Sequence, residues 1–335
     1  MPILGALSAG SLDRDWNAAL TSLRKVYAMG RRLYTNTLLD ELAIVDMSSM
    51  EPLTQLGLAI DGSNYSIKAL GADTDYSDAP AAILAECGYK RVDLFAKEWL
   101  ELADPLSKQT LLSSMPELGG KPVQMPLLEI LKLLNQNSGD GPIIKWGDGT
   151  KKLFATDHVI DPKGDAAATH GNKIVQPATS AGWDNVLQAI MTRQDPGSKA
   201  SKGKVYMPNR DLTGKNLVIY VGHTSVASTL AKIFDPQSNW AVAVGAAAAS
   251  ETRKVFAQAS IQYLPEMSNY GTITNYCYLA VNNTPLRALY ARIPHKPRVD
   301  AIERIPSQHK QRVKGWQTFG LSGAYPFALY KWLFS

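Results

Sequence analysis

The chain has 335 residues, 45% of them hydrophobic, and a formal net charge of +5. That apolar content builds packed cores and the length points to about two domains, which excludes a disordered chain. No stretch of roughly 18 apolar residues occurs, and Asp13, Arg14, Asp15, Arg24 and Lys25 fall where a secretory apolar core would lie; neither span nor signal peptide is expected, and the chain reads as soluble and intracellular when made.

Residues 1–10 are small and apolar. From Ser11 the pattern turns helical, with Trp16, Leu20, Leu23 and Tyr27 on one narrow stripe, the kind of helix that packs on a neighbouring chain or on its own domain. Residues 48–97 carry many breakers (Pro52, Gly57, Asp61-Gly62, Gly71, Pro80, Gly88) between short alternating runs, among them Tyr65 to Leu70 and Tyr89 to Phe95. They read as strands of a long excursion. A two-stranded arm is marginal alone in water, so it favours an assembly.

In Leu106 to Leu134, Pro116, Gly119-Gly120, Pro122 and Pro126 interrupt a leucine-rich pattern, which predicts a helix from about Met125 to Gln136 preceded by a broken segment. Asp148-Gly149 is a two-residue hairpin signal, predicting strands at 143–146 and 151–155. Residues 157–181 read as a polar loop.

Trp183, Val186, Leu187, Ile190 and Met191 then define an amphipathic helix. A basic loop, Arg193 to Lys204, follows, and Val205 to Pro208 lead into the strand Leu217-Val218-Ile219-Tyr220-Val221. A second helix opens at Thr224 or Ser225, buries Val226, Leu230, Ile233 and Phe234, and stops at Pro236. Trp240 to Ala249 fits a close-packed helix or a strand and turn. Strand signals return at Val255–Tyr263, Gly271–Ala280 and Arg287–Ile293, the last two joined by Asn282-Asn283-Thr284-Pro285. The tail from Trp316 to Ser335 is so aromatic that it must be buried on its own core or a neighbour's.

Between Arg287 and Lys314, eight Lys/Arg face only Asp300 and Glu303, a local balance of +6 that leaves the rest of the chain near neutral. Such a segment fits nucleic acid, an acidic neighbouring subunit or a solvated face. Asp157-His158 with Asp161, Asp165 and His170 offers metal-ligand atom types, but the spacing matches no metal signature and turn chemistry explains it. Gly222-His223-Thr224-Ser225 sits at a strand end, where sites are often built, yet it lacks a nucleophile elbow and a nearby acid. Cys87 and Cys277 have no CxxC spacing and read as buried thiols. No metal or cofactor site is supported.

Four segments fall in one order: Gly147 to His158, Gly182 to Phe234, Tyr276 to Leu289, and the closing run from Trp316. Together they resemble the major capsid proteins of tailed phages with the Hong Kong 97 fold, most closely the Mu-like major head subunit family. The first is similar to that family's Asp-Gly-x-x-Phe-Phe element, and the third to its Trp-Tyr-Leu-Leu strand, turn and Pro-Leu-x-Pro-Leu strand. Tyr276 stands where the family often has Trp, and Ala288 where it has Pro.

The resemblance implies an α+β fold with an N-arm over 1–47, an E-loop over 48–100, and a P-domain with a spine helix over 101–181. An A-domain over 182–249, P-domain return strands over 250–315 and a C-terminal segment over 316–335 complete it. It further implies a non-enzymatic shell protein of pentamers and hexamers enclosing dsDNA by volume and non-specific charge, found in the virion and, during assembly, in the host cytoplasm. A portal protein is an implied partner, and a decoration protein is a further one that the resemblance allows. No long charged helical extension precedes the arm, so a separate scaffolding protein is implied and removal of a pro-segment is not expected. Candidate inter-subunit contacts are Trp16 and Arg24 on the arm, Arg193, Lys199 and Lys202 on the basic loop, and Arg287, Arg292, Lys296 and Arg298 on the basic segment. The alternatives are an encapsulin-like cargo compartment and an α/β enzyme using His223 and Ser225.

Overall fold

The computed structural model describes residues 24, 38–47, 53–59, 81–100, 105–160, 168–193, 212, 214–234, 259–271, 273–284, 286–301, 303–308 and 310–335. In chain order its elements begin with helix α1 (Leu38–Leu42), strands β1 (Ala43–Asp46), β2 (Leu53–Ala59), β3 (Ala81–Gly88) and β4 (Lys90–Leu100), and helix α2 (Pro105–Leu134). Then come β5 (His158–Val159), β6 (Thr169–His170), β7 (Lys173–Val175), α3 (Ser180–Met191), β8 (Gly214–Val221) and α4 (Thr224–Phe234). The remainder is β9 (Ala259–Tyr263), β10 (Tyr276–Val281), β11 (Leu289–Arg292), β12 (Arg298–Val299), β13 (Glu303–Ile305), β14 (Lys310–Gly323) and β15 (Leu329–Leu333).

Leu217 to Val221 is apolar at every position because β8 is covered on both faces. It lies inside a five-stranded sheet of order β7-β15-β10-β8-β9. On one face Val218 and Tyr220 join Tyr278, Ala280, Leu329, Trp146, Phe154, Ile130 and Leu134 in one core. On the other, Leu217, Ile219 and Val221 join Cys277, Leu279, Trp332 and the helix residues Trp183, Val186, Leu187, Ile190, Val226, Leu230, Ile233 and Phe234 in a second. The strand period of two therefore sorts one sequence run into two cores. The helix faces are those the periodicity predicts. Thr179 caps α3 by accepting from the Gly182 amide at 3.2 Å.

The second sheet has six strands and is organised by the 14-residue β14, which pairs with β11, β12, β13 and β4. Its pairing with β4 runs from Lys310↔Leu100 to Phe319↔Lys90, with a bulge between Gly315 and Trp316. β1 adds to β11 in parallel. β2 and β3 form a two-stranded ribbon, but the 48–97 stretch is not all excursion: the Tyr89 to Phe95 run enters β4 of the six-stranded sheet, and Leu84, Ala85 and Cys87 of β3 join the core. The tail is buried as expected, and β14 runs unbroken across positions 315 and 316. β9 and β10 pair with β8, which places strands of the 250–315 segment beside the 182–249 unit.

Three expectations are corrected. First, α2 is one 30-residue helix, unbroken at Pro116, Gly119-Gly120, Pro122 and Pro126. Gly119, Pro122, Pro126, Ile130 and Leu134 recur every three or four residues and are buried, so Gly119, Pro122 and Pro126 lie on the packed face. Tertiary packing outweighs the local cost of proline there. The helix ends in a tight turn where Asn137 and Ser138 take φ of 51° and 63°. Second, the arms around Asp148-Gly149 pair through a single bridge, Ile143↔Lys152, rather than two full strands. Third, the 157–181 stretch holds β5, β6 and β7 and is no plain loop; His158 is paired opposite His170, and β7 joins β15 in parallel.

The helix predicted from Ser11 to Tyr27 lies outside the described residues except for Arg24. So do the Tyr65 to Leu70 run, Gln194 to Pro208, Trp240 to Ala249, and the first residues of the Val255 strand.

Candidate functional site

The strand-end loop is the first candidate. The ring Nδ1 of His223 accepts the Ser225 amide at 3.1 Å and lies 2.7 Å from Ser225 Oγ. Both Ser225 donors therefore converge on one ring nitrogen. That geometry caps the exposed start of α4.

The candidate metal set separates. Asp157 pairs with Lys151, whereas His158 is fully buried with Nε2 3.0 Å from the Leu153 carbonyl. Asp161 and Asp165 lie outside the described residues. Among the described residues no group of three His, Cys, Asp or Glu is placed to hold a metal ion.

Lys310, Arg312 and Lys314 of the basic segment are paired within the chain, the first of them to an acid from outside the segment. Lys310 meets Glu98 at 2.6 Å, Arg312 meets Glu303 through two bonds of 2.9 Å, and Lys314 lies 3.8 Å from Asp300. The acids come from β4, β13 and the turn after β12, because pairing lines β14 up between them. Arg287 donates to the carbonyls of Asn282 and Thr284, at 3.3 and 2.6 Å, and so braces the turn before β11. Lys296 is exposed. Arg298 stacks over the Trp316 ring at 3.9 Å, with Arg91 on the same indole at 4.6 Å and the indole N–H donated to Asp300 at 2.9 Å. Arg24 is exposed and donates to the Val299 carbonyl of its own chain at 3.3 Å.

Arg193 and Arg292 correct the reading of these two as outward contacts. Arg193 is 1% exposed, donates to the Tyr325 hydroxyl and lies over the Tyr325 and Phe327 rings at 5.5 and 5.2 Å. Arg292 is 0% exposed, 3.7 Å from the Asp46 carboxylate, bonded to the Cys87 carbonyl at 3.2 Å and stacked on Tyr89 at 4.8 Å. Tyr290 donates to the same Asp46 at 2.7 Å. Trp16, Lys199 and Lys202 lie outside the described residues.

Arg292 is thus the root of the arm: Cys87 and Tyr89 flank the β3–β4 connection, and Asp46 ends β1. Burial raises the Cys87 thiol above its ordinary range, although Ser322 and Arg292 act the other way. Burial raises Cys277 as well. Both cysteines are free and buried, as expected; neither is an activated thiolate.

Two buried polar sites carried no sequence signal. The Asn172 amide donates to the carbonyls of Leu153 (2.8 Å), Pro326 (2.8 Å) and Leu329 (3.0 Å), while its oxygen accepts from the Ala155 amide at 3.0 Å. Lys331 donates to the Gly139 carbonyl and lies 4.5 Å over the Tyr276 ring. Burial lowers the Lys331 pKa, Asp140 opposes that, and Lys173 adds to it. Asp140 is pushed up by its own burial, but the Lys173 hydrogen bond and the charges of Lys173, Lys331 and Lys152 hold it below the usual carboxylate range.

No protein-family profile matches the sequence, and no curated protein does. Among solved structures the chain is similar to the capsid of Myoviridae phage XM1, at 16% identity and a TM-score of 0.44 over 90% of this chain and 94% of that one. It is similar to the capsid of cyanophage P-SCSP1u at 9% identity and a TM-score of 0.49, over 90% and 88%. It is also similar to a virus-like particle from Pyrococcus furiosus at 9% identity and a TM-score of 0.45, over 93% and 98%.

Proposed function

We propose that this chain is a structural shell subunit of the Hong Kong 97 type that assembles with copies of itself into a closed icosahedral capsid. The observation that carries the reading is the pairing of a two-stranded ribbon, β2–β3, with a 30-residue helix, α2, on a sheet built around the long β4–β14 ladder. Leu84, Ala85 and Cys87 seat one face of β3 in this chain's own core, Ile83 beside them on the strand is 46% exposed, and a neighbouring copy covers that outward face. The order of the four sequence segments supports the same assignment.

In this reading residues 48–100 are the E-loop, α2 the spine helix, and the five-stranded sheet with α3 and α4 the A-domain core. The shell packages dsDNA with help from a scaffolding protein, a portal and a decoration protein. The His223–Ser225 contact is a helix cap with no catalytic duty.

Electron microscopy and sedimentation of the purified chain, alone and coexpressed with its scaffold, test this reading. Shells, rings or capsomers are the expected result. A persistent monomer with an ordered ribbon in both preparations would overturn it. Replacing His223 and Ser225 together by alanine leaves particle yield unchanged.

A further inference from the structure

Phe327 lies in the turn just before β15 and is 1% exposed. Three groups able to carry positive charge surround its ring. The His158 ring stands edge-on at 5.9 Å, the His170 ring at 5.6 Å, and the Arg193 guanidinium lies at 5.2 Å. They arrive from β5, β6 and the residues after α3, so one phenyl ring gathers three separate parts of the chain.

The polar surroundings suit neutral imidazoles. His158 Nε2 faces the Leu153 carbonyl and carries its proton there, while Nδ1 is buried with no hydrogen-bond partner among the described residues. A second proton on His158 would place an N–H where no described residue accepts it. His170 Nε2 lies 3.5 Å from the Tyr330 hydroxyl, and among the described residues the charges facing His170 are Arg193 and His158. Asp157, Lys151 and Asn172 face His158. Asp157 is the carboxylate in that set, and it is already paired with Lys151.

We propose that this cage is an acid-sensitive latch: near neutral pH it holds the β5–β6 hairpin against the C-terminal segment 324–333, and proton uptake by His158 and His170 releases it.

Burial lowers the pKa of both rings, and for His170 burial with the Arg193 and His158 charges brings it to about 4. A histidine whose closed-state pKa is depressed takes its proton first in the open state. Closure is therefore complete above the open-state value of about 6.5 and is lost as pH falls from there toward 4. Linkage for His170 alone raises the opening equilibrium about 30-fold between pH 7.5 and pH 5.

Hydrogen exchange of the full chain, followed by mass spectrometry at pH 7.5 and pH 5 and corrected for intrinsic rates, tests the latch. Peptides covering 153–175 and 324–333 should exchange about 30-fold faster at pH 5, while 183–191 keeps its protection. His170→Gln and His158→Gln, neutral at both values, should each reduce that pH response, and the double variant should abolish it. Equal protection of wild type at both pH values overturns the proposal, as does an undiminished acid response in the double variant. Should the variants fail to fold, imidazole C–H titration by NMR on the wild type decides: two rings titrating near 6.5 with protection intact would overturn it.

Discussion

The guanidinium of Arg292 donates to the carbonyl of Cys87, 205 positions earlier, at 3.2 Å. With Asp46 and Tyr89 on its other sides, this fully buried arginine joins β1, β11 and the root of the β2–β3 arm. Removing one partner of a buried ion pair costs about 3–5 kcal/mol. Arg292→Met should therefore lower the unfolding free energy by roughly 3 kcal/mol, seen as a lower denaturation midpoint, at the lower end because Asp46 keeps its bond from Tyr290. Cys87 in this variant should react with a thiol reagent faster than in wild type while Cys277 stays protected. An unchanged midpoint with unchanged Cys87 reactivity would sink the assignment.

Arg298 behaves differently because its side chain is 58% exposed. Its stacking on Trp316 is worth about 0.5–1 kcal/mol at such a site. Arg298→Glu should cost no more than about 1 kcal/mol and leave a folded chain, and it is the proper charge reversal for probing assembly. Particle counts by electron microscopy, with circular dichroism as the folding control, check this. A normal particle yield would remove Arg298 from the interface.

The contrast between these two arginines shows where sequence reasoning ends. Charge counting groups Arg292 with Arg298, because nothing local reveals that Asp46 and Cys87 will reach Arg292 through the folded sheet. The same holds for Glu98 on β4, which reaches Lys310 only through the strand pairing. By contrast, the α3 and α4 faces and β8 were legible, since their signal is a short-range period in the apolar residues. The continuity of α2 was hidden for the opposite reason: Pro122 and Pro126 each carry a strong local rule, and only the buried stripe they share with Ile130 and Leu134 explains why the helix runs through them. The resemblance drawn from ordered segments reached the α+β architecture without reaching these buried polar contacts.

Asn172 ties the 153–155 segment to the C-terminal strand. Alanine at this position takes the side-chain donor from the Pro326 and Leu329 carbonyls and the acceptor from the Ala155 amide in a buried site, while the Leu153 carbonyl keeps His158, at a cost of about 3 kcal/mol. Asn172→Asp should be worse than an isosteric change implies, because a carboxylate facing those carbonyls repels where the amide donated. Denaturant midpoints of both variants measure this; either one matching wild type would show that water replaces the amide.

The glycines of two turns and strands separate steric from conformational demands. A Cβ at Gly320 on β14 would fall 1.8 Å from the Gly88 carbonyl oxygen, a backbone atom at the arm root. Gly149 has φ of +76° but nothing within 4 Å of a built Cβ. Gly149→Ala should cost about 1 kcal/mol from the left-handed backbone alone. Gly320→Ala must push β14 away from the arm, and should cost several times more, on the order of 3 kcal/mol, while exposing Cys87 to thiol reagents as Arg292→Met does. Paired thermal melts and Cys87 labelling of the two variants measure the difference. Equal losses of stability would mean that the arm root yields to β14, and that Arg292 rather than close backbone packing sets where the ribbon leaves the sheet.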